Sequence, residues 1–130
     1  MATQQFTLQG DVTSRPSDCA DSGAFTVQAR LDERLSLGVA TQRTYVLDAD
    51  APFVVDLTEF AAGVHVLVVK VEPSLHTVLA VTSADGAAQV VPVETLHVTI
   101  SRTVPITAIT LTRTAGQDTT VRLFLGALAA

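Results

Sequence analysis

Tryptophan is absent from the 130 residues, cysteine, methionine and tyrosine occur once each, and lysine plus arginine total 8. Each shortage excludes something. A single cysteine, Cys19, rules out an internal disulfide, and in its Ser-, Pro- and Asp-rich loop, where a nucleophile would need an activating base nearby, it is expected to be inert. Eight cations against 13 acids, a net charge of -5, leave no basic stripe for phosphates, so neither nucleic acid nor an anionic membrane surface is an expected partner. Asp56, Glu59, Lys70, Glu72, Asp85 and Glu94 interrupt the apolar segments, which leaves no run of about 18 residues to cross a bilayer. The polar start, Met1 to Gln9, lacks the basic and then apolar pattern of a secretory signal, and export by that route is not expected. With Tyr45 and five phenylalanines as its whole aromatic stock, the chain has little with which to build stacking platforms for sugar rings.

What is abundant is β-branched. Val (19), Thr (18) and Ile (3) supply 40 of the residues, and 48% of the chain is apolar, so it is expected to fold as a single strand-rich domain over residues 1–130. Phe6 and Leu8 open a first strand that Gly10 and Asp11 are expected to end. A turn-rich loop follows from Thr13 to Gly23. From Phe25 to Leu37 the apolar residues alternate with Thr26, Gln28, Arg30, Asp32, Arg34 and Ser36, which favours a strand, although Val27, Leu31 and Leu35 also carry a helical spacing. A separate short strand is expected at Arg43 to Leu47, then a turn at Asp48 to Pro52 and a strand from Phe53 to Leu57. Val64 to Glu72 is apolar on both alternating sets, which predicts a strand covered on both faces or covered on one by another subunit. Strands follow at Leu75 to Thr82, Gln89 to Val93, Leu96 to Ile100, Ile106 to Thr112 and Thr120 to Leu125, with Asp85-Gly86 marking a hairpin. The expected fold is all-β, an antiparallel β-sandwich of about eight strands, jelly-roll-like.

Chemistry is harder to find. His65, His76 and His97 share no close spacing that would put two on one metal, and the His-x-His pattern of double-stranded cupins is missing. Asp48, Asp50, Asp56 and Glu59 are neighbours around loops, the ordinary place for solvated acids, and nucleophile-elbow and phosphate-loop patterns do not occur. No enzyme, metal or cofactor is expected. Outward positions carry Thr, Ser, Gln and Ala where a solitary monomer would carry more charge, which suits a surface covered by neighbours.

The stretch Pro105 to Thr112, with Gly116 and Val121 to Gly126, resembles the ending of small β-sandwich virion proteins of tailed bacteriophages, and Asp85 to Val93 is similar in style to theirs. The resemblance implies a particle component, found in the virion after assembly in the host cytoplasm. Its expected partners are further copies of itself, as a trimer, and the major capsid or tail protein. A capsid decoration subunit is the first expectation; a tail-associated or carbohydrate-binding adhesion module is the alternative. The expected contact residues are Arg15 and Asp18 in the first loop, Asp48 and Asp50 in the second, and His65, Val66 and Val68 in the two-faced strand.

Overall fold

The computed structural model describes residues 4–14 and 26–129. Nine strands follow in order: β1 (Gln4–Ser14), β2 (Thr26–Leu47), β3 (Phe53–Val54), β4 (Val66–Glu72), β5 (Thr77–Ser83), β6 (Ala88–Val93), β7 (Leu96–Ile100), β8 (Ile106–Thr112) and β9 (Thr119–Leu128). They form two antiparallel sheets, β1-β2-β9-β4-β7 and β3-β8-β5-β6, packed face to face as a β-sandwich. From β2 to β9, every connection except the β5–β6 hairpin passes from one sheet to the other.

Alternation in the sequence becomes burial in the fold. Leu67, Val69 and Val71 of β4 and Val121, Leu123 and Leu125 of β9 face Leu79, Val81, Ile109 and Leu111 of the opposite sheet, and all are buried. Removing such side chains from water is the main source of stability here, at about 25 cal/mol per Å² of apolar surface. The Asp85-Gly86 hairpin forms as the sequence predicts: Gly86 takes the positive φ of 86°, and the Asp85 carboxylate accepts the Ala87 N–H at 3.0 Å.

Three sequence expectations are corrected. The strands expected at 25–37 and 43–47 are one strand of 22 residues, and the helical spacing of Val27, Leu31 and Leu35 goes unused. Gly38 is the extra residue of a bulge between Leu37 and Val39. The bulge reverses the pleat, so Leu37 joins the outer face while Val39 joins the inter-sheet core. Gly10 does not end β1 either; the strand runs on to Ser14 because each residue through Val12 keeps a partner on β2. The strand expected at 53–57 shrinks to Phe53–Val54, extended by one bond from Val55 N–H to the Ile109 carbonyl at 3.0 Å.

Candidate functional site

The two halves of β2 have different partners. Residues 37–47 pair with β9, whereas 26–37 pair with β1, from Gln4 opposite Leu37 to Ser14 opposite Thr26. β1 and the first half of β2 thus make a two-stranded ribbon of about 35 Å at ~3.3 Å per residue. Among the described residues, its strands pair only with each other beyond Leu37.

The base of this ribbon lies against the outer face of the five-stranded sheet. Leu35, Leu37 and Val66 are buried there, with Phe6, Ala40, Val68, Ile100, Phe124 and Leu128 packed around them. The Phe6 and Phe124 rings stack with centroids 5.4 Å apart. A Cβ on Gly126 would lie 2.7 Å from Leu37 Cδ1, so the glycine is what lets that leucine sit flat on the sheet. Arg102, just past the far edge strand β7, reaches Glu33 of the ribbon at 2.7 Å, and the Ala129 N–H donates to the Ser36 carbonyl at 2.9 Å. The ribbon is therefore fastened at its base to β4, β7 and β9.

The predicted contact residues distribute unevenly. Arg15 and Asp18 lie outside the described residues. Val66 is wholly buried and Val68 partly so, because the outer cover foreseen for the two-faced strand is supplied by the chain's own ribbon. His65 is half-buried beside them. Its Nδ1 accepts the Leu128 N–H at 3.2 Å, its N–H donates to the Gly126 carbonyl and its carbonyl accepts from Ser101. Burial holds its pKa below the ordinary value.

Asp48 is exposed, and Asp50 is committed within the chain. The Asp50 carboxylate accepts from the Gly116 N–H and from Arg113 Nε, each at 3.0 Å, and these bonds hold its pKa below the ordinary aspartate value. The nearly buried Arg113 guanidinium also reaches Asp118 at 2.6 Å, fastening the 48–52 loop to the β8–β9 turn.

Arg43 plays the matching part at the other loop. It donates to the Asp56 carbonyl, to Glu59 and to the Tyr45 hydroxyl, and lies 6.0 Å from the Phe60 ring centroid. Tyr45 is held by that bond and by contact with Phe53 at 4.7 Å between centroids, so its ring is packed and not presented as a sugar platform. Neither arginine stood out in the sequence, because a lone cation in an alternating strand carries no local sign of which loop it will meet.

Elsewhere the surface is shallow. A hollow of about 280 Å³ has three cations in its lining, of which Lys70 and Arg122 pair with Glu72 and Arg43 with Glu59. Exposed apolar residues such as Val46, Val54, Val90 and Leu96 are scattered over separate strands. No cluster of three His, Cys, Asp or Glu suited to a metal occurs among the described residues. The chain matches no family model, no curated protein and no solved structure.

Proposed function

We propose that the chain is a non-enzymatic structural subunit of a bacteriophage particle, a decoration protein that binds the capsid surface as an oligomer. One observation carries this reading: the β1–β2 ribbon outgrows the sandwich that anchors it. A two-stranded ribbon is marginal in water by itself, and open edges invite further strands. An element of this kind fits a subunit that is completed by neighbours better than it fits a solitary enzyme. The Thr-rich outward faces and the resemblance of residues 85–93 and 105–126 to small virion sandwiches support the same class. The strand order β2-β9-β4-β7 over β3-β8-β5-β6 supports a jelly-roll winding of the body. A tail-associated subunit is the second reading, favoured by the reach of the ribbon, which suits contact along a ring.

The test is reconstitution. Particles assembled without the protein are mixed with purified chain and separated by density, and heads and tails are assayed for bound protein. Saturable binding to heads is expected. Binding confined to tails would replace the decoration reading with the second one, and no binding to either would overturn both.

A further inference from the structure

We infer that the ribbon pairs edge to edge with the ribbon of a second copy, the outer edge of β1 in one chain lying along residues 29–35 of β2 in the next. This names the partner of the element on which the proposed function rests.

Direction comes first. Among the described residues, β1 ends the five-stranded sheet and the first half of β2 has no partner on the side where β9 has stopped. A neighbour's β1 placed there runs antiparallel to β2, as β9 does, and continues the line of β9 past its end. The available length is set by the chain itself: Leu128 is already opposite Leu37, and the Ala129 N–H already bonds the Ser36 carbonyl. The open stretch thus begins at Leu35.

Charge permits the same register across the interface as within the chain. Within the ribbon, Phe6 is opposite Leu35, Thr7 opposite Arg34, Leu8 opposite Glu33, Gln9 opposite Asp32, Gly10 opposite Leu31 and Asp11 opposite Arg30. Repeated between copies, this register sets Asp11 of one chain beside Arg30 of the next and nowhere places like charges directly opposite. The β1 edge carries a single charged residue and neither proline nor lysine, while the β2 edge carries Arg30, Asp32, Glu33 and Arg34, of which Arg30 meets Asp11 in this register.

The third argument is the alternation. Phe6, Leu8 and Gly10 hold alternate positions of β1, in register with Leu35, Glu33 and Leu31 of β2. The sheet covers the base of this row, at Phe6 and Leu35. Ribbons joined edge to edge repeat the Phe6–Leu35 apolar pair from copy to copy, with Glu33, held by Arg102, beside it in the same row. Because the two edges that meet are different, the contact is head-to-tail and closes into a ring or grows into a filament.

Gly10 gives a test that spares the fold. A Cβ at this position meets no atom within 4 Å, so a side chain there is accommodated by the single chain, while a charge would be set opposite Leu31 of the neighbouring copy. Sedimentation velocity of the full chain at micromolar concentrations is expected to show assemblies larger than one protomer. Gly10→Ala should assemble as the parent does. Gly10→Lys should sediment as a monomer, with its apparent dissociation constant raised at least about tenfold and its melting transition at low concentration unchanged. A parent chain that stays monomeric, or Gly10→Lys that assembles as the parent does, would overturn the inference. Reconstitution separates the two ideas: a monomeric chain that still saturates particles defeats ribbon pairing alone, and a ring-forming chain that ignores particles defeats the virion reading alone.

Discussion

The inter-sheet core and the cluster beneath the ribbon use the same side chains, Leu, Val and Phe, yet differ in how they are enclosed. The first is walled by two sheets, and Leu67, Val69, Leu79, Ile109, Leu111, Val121 and Leu125 are all closed off from water. The second has one sheet below and a two-stranded ribbon above, and only Leu35, Leu37 and Val66 are fully buried there. Burial of apolar surface drives both, but only the first holds the body together. The second fixes the direction of an arm, so damage to it should show as local opening and not as loss of the fold.

The largest effect should separate the two regions most sharply. Leu125→Ala leaves a cavity between the sheets and should lower the unfolding free energy by about 3–4 kcal/mol in urea titration. Hydrogen exchange should then accelerate throughout the sandwich. Phe6→Ala removes the stack on Phe124 and part of the cover over Leu37. It should cost about 1–2 kcal/mol locally, with exchange accelerating in residues 4–14 and 26–36 while β4 and the inner half of β9 keep their protection. Equal loss of protection in both regions would show that they fold as one unit.

Arg113→Met removes the cation shared by Asp50 and Asp118 and should cost about 1–2 kcal/mol, since the guanidinium is nearly buried while its partners are exposed. Its effect should be confined to the loop end of the body, leaving exchange in the ribbon unaltered.

His65 sharpens the comparison through pH, because it touches β9 beside the ribbon base. Its folded pKa lies below the ordinary value of 6.5, so the unfolded chain binds the proton more readily. The resulting stability is complete above pH 6.5 and is lost as pH falls through the depressed folded value. Protonation also removes the Nδ1 lone pair that accepts the Leu128 N–H. His65→Asn, which keeps an acceptor there without titrating, should flatten the melting temperature between neutral and mildly acidic pH.

The smallest effect belongs to Asp50. Its pKa is depressed, mainly by the Gly116 N–H and then by Arg113, so its contribution is complete above the ordinary value of 3.8 and is lost as pH falls through the lower folded value. Asp50→Asn should remove a small part of the acid limb of the stability profile and nothing near neutrality.

The body was more legible in the sequence than the arm. The β-branched segment Ile106 to Thr112, the two-sided apolar run ending at Glu72 and the Asp85-Gly86 turn each carry a short-range signal, and a strand or turn forms at each. Gly10 misled because a glycine that ends a strand and one that lies within it carry the same letter; which it is depends on whether a strand lies alongside. For the contact residues, the loop acids were visible, but Arg43 and Arg113, which tie those loops down, were not. Their partners are 13 and 63 residues away for the bonds to Asp56 and Asp50.

By itself the sequence determined that the chain is all-β, because β-branched residues at period two suit only a pleated surface with a buried side. The tertiary structure alone decided that one 22-residue strand serves two partners, that a bulge at Gly38 turns Leu37 outward, and that the outer face of β4 is covered from within the chain. Period two says that a strand has faces; what lies over each face depends on contacts between residues far apart in the chain.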